Sequence, residues 1–114
     1  MVTGRIRVLL WYRVPPEAEA TLTSGYHAIA EAIAGTPGLL STELWSYPGD
    51  PGAFAVTSEW ASREEFERWE RSPGHRPATA PLRPYYDPER SVEVIEIASA
   101  SAGGPAARAR TTAG

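Results

Sequence analysis

The side chains able to do chemistry in this chain are few and mostly aromatic. Four Trp and five Tyr crowd into its ordered part, with only two His, no Cys and no Lys. Without cysteine there is no disulfide, thiolate metal site or thiol nucleophile. His27 and His75 stand far apart in sequence and lack metal-ligand spacing, so no metal is expected. Serine-nucleophile, P-loop, GxGxxG and HExxH patterns are also missing. What remains is chemistry needing no cofactor from the fold: a dry pocket, a few hydrogen bonds and a reactive substrate.

Trp60 precedes Ser62-Arg63-Glu64-Glu65, a capping box. It therefore sits at the end of a strand, where its ring either lines a cavity mouth or packs into the core. Its indole N–H requires a partner when buried. Trp69, on the inward stripe of the next helix, reads as packing. His75, in a Pro-Gly-His turn, is either solvated or a rim group, and an unperturbed pKa of ~6.5 suits it to either side of a proton transfer. His27 lies one step off the apolar stripe of its helix and reads as boundary packing. Arg76 and Arg83 either clamp an anionic or phenolic ligand or lie in solvent. Asp87, before Pro88, reads as turn chemistry, and the glutamates between 64 and 70 as a solvated helix face.

The elements that must position these groups follow from periodicity. Over 5–14, Ile6, Val8, Leu10, Tyr12 and Val14 alternate onto one strand face, with Leu9 and Trp11 on the other. Leu22, Tyr26, Ile29 and Ile33 form the inward stripe of a helix over 17–34, stopped by Gly35 to Gly38. Strands over 39–47 and 53–60 flank a hairpin linker, Pro48 to Gly52. A short helix with Phe66 and Trp69 inward follows. A proline-punctuated segment then leads to a strand over 91–98. The order β-α-β-β-α-β is that of an α+β, ferredoxin-like fold with an antiparallel sheet. Residues 1–98 should form this domain. Residues 99–114, with no large apolar side chain, read as a disordered C-terminal tail. Leu9 and Trp11, joined by Trp45 or Tyr47, would leave the face away from the helices apolar, and a homodimer would cover it.

A formal net charge of −3 with no basic stripe argues against nucleic acid. No apolar run approaches the ~20 residues of a membrane span, and the first residues lack a leader pattern. A cytoplasmic protein is expected.

Three stretches carry a resemblance. Thr36-Pro37-Gly38-Leu39-Leu40 at the first helix exit is one. Trp60-Ala61-Ser62-Arg63-Glu64-Glu65-Phe66 is the second, and Trp69 with Ser72-Pro73-Gly74-His75-Arg76 is the third. Together they resemble the antibiotic biosynthesis monooxygenase superfamily over about residues 5–98. The resemblance implies a ferredoxin-like fold, dimeric barrel-type association and a pocket between sheet and helices. It further implies oxidation of an anthrone or phenolic polyketide to a quinone with O₂ as co-substrate and no flavin or metal. In such relatives the Trp matching Trp60 contributes to the site. An Asn four positions earlier is Val56 here, and a Tyr six positions later is Phe66. Haem-degrading relatives carry a His where this chain has Thr79.

The resulting expectation is a cofactor-free monooxygenase acting on a small aromatic substrate. Trp60 would be the oxyanion-side donor and His75 the proton acceptor. Tyr26, Trp45 and Tyr86 would be ring-stacking walls, and Arg83 an anion partner. A polyketide cyclase and a non-catalytic metabolite-binding accessory protein are the alternatives.

Overall fold

The computed structural model describes residues 4–103. Strand β1 (Ile6–Arg13) lies at the centre of a four-stranded antiparallel sheet. One 3-10 turn (Pro16–Ala18) leads into helix α1 (Glu19–Ile33), two residues later than periodicity suggests. Pro16 fixes φ for a helical turn and Pro15 before it stays extended. Strands β2 (Leu39–Ser46) and β3 (Ala53–Trp60) form the hairpin, followed by helix α2 (Arg63–Glu70) and short helix α3 (His75–Thr79). A 3-10 segment (Ala80–Tyr85) and strand β4 (Glu93–Glu96) complete the fold. The sheet order β2-β3-β1-β4 is the ferredoxin-like arrangement.

The hairpin depends on Gly52, whose φ is +94°. A Cβ there would meet the Val14 carbonyl oxygen at 2.7 Å, while the Val14 amide donates to the Gly52 carbonyl at 2.9 Å. Only glycine allows that approach. The α2 cap forms as the sequence suggests. Ser62 Oγ accepts from the Glu65 amide at 3.2 Å, and its hydroxyl also reaches the Glu65 carboxylate.

Strand parity divides the sheet. Ile6, Val8, Leu10 and Tyr12 face α1 and α2. Leu22, Ile29 and Ile33 of α1, with Leu82 and Val14, close one core cluster; Trp60 and Phe66 with Ile6 and Val8 close a second. The opposite face is not left bare. Leu9 and Trp11 are buried with Ala55 under a lid of long polar side chains. The Arg90 guanidinium lies 3.4 Å above the Trp11 ring, Tyr47 stacks on that ring at 5.3 Å, and the Trp11 indole donates to Glu93 at 3.0 Å. Arg5 and Arg7 both bridge to Glu59, and Arg7 also donates to Thr57 at 2.8 Å. Trp45, Tyr47 and Ile95 remain exposed above this layer.

β4 is shorter than the expected 91–98, and Val92 and Ile95 at this sheet edge are exposed. The Ile97 amide still donates to the Arg5 carbonyl, so pairing extends past the strand's end. Residues 99–103 carry neither helix nor strand and are exposed; the rest of the expected tail, 104–114, lies outside the described residues.

Candidate functional site

A cavity of about 230 Å³ opens between the inner sheet face and the helical layer. Its floor is strand residues from β1, β2 and β3, among them Val8, Leu10, Thr42, Val56, Ser58 and Trp60. Its roof is α1, through Tyr26, Ile29 and Ile33, and its mouth is the segment from α3 to Tyr86. His75, Thr79 and Arg83 all border the mouth, with the Arg83 guanidinium reaching back to Thr79. Leu82 on the same segment is fully buried against α1, where the absence of a side chain at Gly25 lets it approach.

Five of the six expected site residues meet at this cavity: Tyr26, Trp60, His75, Arg83 and Tyr86. Trp45 does not. It pairs with Ala55, and Ala55 with Trp11, so all three share the outer face. An extra residue in β2, between Leu39 and Ser41, sets that parity and turns Thr42 rather than Trp45 inward. Trp45 instead donates to Glu43 at 2.8 Å and packs under Arg7.

Trp60 is fully buried, and its ring packs against Phe66 at 5.6 Å and Trp69 at 5.4 Å. Its indole N–H is already engaged, donating to Ser58 Oγ at 2.9 Å. In this arrangement the indole's one N–H is spent on Ser58. Trp69 does more than pack. It lines the cavity and carries the His75 ring edge-on at 4.5 Å.

His75 is half-buried, and burial pushes its pKa below the usual imidazole value, with Arg83 and Arg76 adding to the effect against an opposing Glu70. The neutral, proton-accepting form is thereby favoured. Arg83 donates to Thr79 Oγ1 at 2.9 Å and to the Arg76 carbonyl at 3.2 Å, which ties its guanidinium to α3. Arg76 and His27 are exposed, and Asp87 holds a turn by accepting from the Glu89 amide at 3.0 Å.

Composition and spacing did not single out Thr42 and Ser58 among the cavity groups. Thr42 Oγ1 lies 2.9 Å from the Tyr26 hydroxyl. The available signal was strand parity: Val56, Ser58 and Trp60 share a face, and a serine on a face otherwise turned to the core requires a polar partner.

Among the described residues no three His, Asp or Glu side chains gather as a metal-binding group. His75 is the cavity's one imidazole. A space of about 230 Å³ falls short of the 300–1,000 Å³ typical of drug-sized ligands.

A family model described as antibiotic biosynthesis monooxygenase matches residues 5–80. The chain belongs to this family. Among curated relatives, protein SchA of Streptomyces halstedii is 32% identical over 82 residues, covering 72% of this chain and 22% of SchA. A 42.8 kDa protein in the whiE locus of Streptomyces coelicolor is 28% identical over 103 residues, covering 90% of this chain and 26% of that protein. The chain thus spans about a quarter of the length of the curated relatives it matches. SnoaB, a cofactor-independent oxygenase from Streptomyces nogalater, superposes with a TM-score of 0.69 at 19% identity, over 90% of this chain and 98% of SnoaB. A haem-degrading protein from Mycobacterium tuberculosis superposes with a TM-score of 0.65 at 20% identity, over 86% and 99% of the two chains. At these identities the two likenesses show a shared fold.

Proposed function

We propose that this family member is a cofactor-independent monooxygenase that converts a small anthrone or phenolic polyketide to a quinone with O₂. The observation that carries the reading is His75, whose neutral form burial favours, at the mouth of a mostly apolar chamber. The matches to Streptomyces proteins and the fold shared with SnoaB support it.

His75 removes a proton from the acidic ring carbon, leaving an enolate. The enolate gives one electron to O₂, and the resulting radical and superoxide combine into a carbon-bound peroxide. Loss of the second proton from that carbon breaks the O–O bond and makes the new carbonyl. One oxygen atom enters the product, and the other leaves as water with both hydrogens. The protein orients the ring, excludes bulk water and stabilises the developing oxyanion. Arg83, held at the mouth by Thr79, supplies positive charge there. Two copies meeting through the outer sheet face would cover Trp45, Tyr47 and Ile95.

The deciding experiment follows O₂ uptake and product mass on mixing with an anthrone, in air and under argon. Oxygen-dependent gain of one oxygen with loss of two hydrogens is expected. Unchanged turnover under argon would refute the oxygenase.

Val56 in the cavity wall favours a second reading, a cyclase that folds a poly-β-ketone against the aromatic walls. A cyclase releases only water and consumes no O₂. Val56→Asn separates the two, because an added amide beside the oxyanion should raise oxygen uptake and leave cyclisation no faster.

A further inference from the structure

Ser58, Thr42 and Tyr26 line the cavity, and the reaction above gives them no work. Their hydrogen atoms can be counted. Trp60 Nε1 gives its only proton to Ser58 Oγ, which occupies one serine lone pair and leaves the serine proton unspent. Tyr26 and Thr42 face each other at 2.9 Å with two hydroxyl protons between them, and one suffices for their mutual bond. Whichever oxygen donates, one O–H is left over. Ser58 and Thr42 are direct cross-strand partners of β3 and β2, on the inner face. Side chains so paired start roughly 4.5–5.5 Å apart at Cβ, close enough to converge on a common atom. The adjoining floor residues Val8, Leu10 and Val56 are aliphatic and offer no acceptor.

We propose that Ser58 and the Tyr26–Thr42 pair form a two-donor seat for one substrate oxygen, a ketone that becomes an enolate oxygen as the reaction proceeds. Trp60 is a positioning residue: its N–H fixes the Ser58 rotor so that the hydroxyl points into the cavity. Ser58 and Thr42 lie on the sheet floor, Tyr26 reaches Thr42 from the roof, and His75 stands at the mouth. The substrate is then a fused-ring ketone whose acidic carbon lies across the ring from its carbonyl. Anthrones have this geometry; β-diketones, with the acidic carbon beside the carbonyl, do not. The proposal rests on the cavity being the substrate site.

The test uses the full chain with anthrone under argon, following enolate absorbance across pH. The wild type should lower the apparent pKa of bound anthrone. Ser58→Ala should reduce enolate affinity by about 10- to 100-fold, the effect of losing one hydrogen bond to a charged group. Ser58→Thr, which keeps the hydroxyl, should restore most of it. Trp60→Phe should have a smaller effect that vanishes in the Ser58→Ala background, because the two act as one unit.

Enolate affinity unchanged in Ser58→Ala, or additive effects of the two substitutions, would overturn the seat. Parallel oxygen-uptake assays separate the two readings. Ser58-dependent enolate binding without oxygen uptake keeps the seat and removes the oxygenase. Oxygen uptake with Ser58-independent enolate binding does the reverse. A wild type that fails to bind anthrone overturns both.

Discussion

Gly25 is the point where the cavity's mouth is bolted to its roof, and Gly25→Ala tests that joint. A Cβ at position 25 would lie 2.6 Å from Leu82 Cδ2, 3.4 Å from Leu82 Cγ and 3.6 Å from Pro81 Cβ. Carbon atoms settle at ~3.5–4.0 Å, so the two surfaces must part by about 1 Å. Leu82 is fully buried, so part of the displacement passes to the segment holding His75 and Arg83. Overpacking of this kind costs about 1–3 kcal/mol, while alanine within a helix returns roughly 0.5–1 kcal/mol over glycine. The net is a loss of about 0–2.5 kcal/mol, a modest fall in Tm. Activity should suffer more, because a misplacement of ~1 Å can cost about 100-fold in rate. Thermal unfolding and kcat measured together on Gly25→Ala, Leu82→Val and the double variant make the assay. Leu82→Val alone should cost about 1 kcal/mol, and in the double variant it should return most of the lost kcat. A Gly25→Ala protein as active as the parent would refute the idea that this contact sets the mouth's position.

His75→Gln should lower kcat by about 10²- to 10⁴-fold, the usual worth of a general base. In the parent the acid limb of the rate profile should fall below pH 6.5, because the folded pKa lies under that value. The same shift means the unfolded chain binds this proton more readily, so His75 erodes stability as pH falls through 6.5. Tyr12 gives the alkaline counterpart. Burial, with Tyr86 beside it, raises its pKa to about 12, so folding stability should drop between pH 10 and 12 as the unfolded chain ionises first. The loss is at most about 3 kcal/mol at ~1.4 kcal/mol per unit, and urea titrations of Tyr12→Phe should lack it. Trp45→Ala should leave the affinity for a cavity ligand unchanged. It should weaken self-association about 30-fold if the ring anchors the outer interface, as read by light scattering over a dilution series.

The fold was legible because period-2 and period-3.6 patterns hold wherever a face is buried, as in Ile6 to Tyr12 and Leu22 to Ile33. Tyr26, Trp60, His75, Arg83 and Tyr86 could be drawn to one site because each belongs to or flanks an element facing the same gap. Trp45 misled for a definite reason. One extra residue at Leu40 resets the alternation of β2, and such a bulge leaves no mark in composition. The engagement of the Trp60 N–H by Ser58 was hidden for another. It depends on two side chains of one strand face bonding along the strand, and a pattern of residue types does not reveal rotamers. The outer face looked uncovered because arginines count as polar in any periodicity, although their stems and guanidinium planes can roof a tryptophan.

That roof is joined to the inner cavity by a very short tether. Tyr86 borders the chamber, Arg90 caps Trp11 on the sheet's far side, and the Asp87 amide between them is pinned to the Trp11 carbonyl at 3.0 Å. Whatever lifts Arg90 from its tryptophan therefore pulls on a chain only four residues from the cavity wall. Linkage makes such a strap symmetrical: if occupation of one side changes affinity on the other by some factor, the reverse effect has the same size.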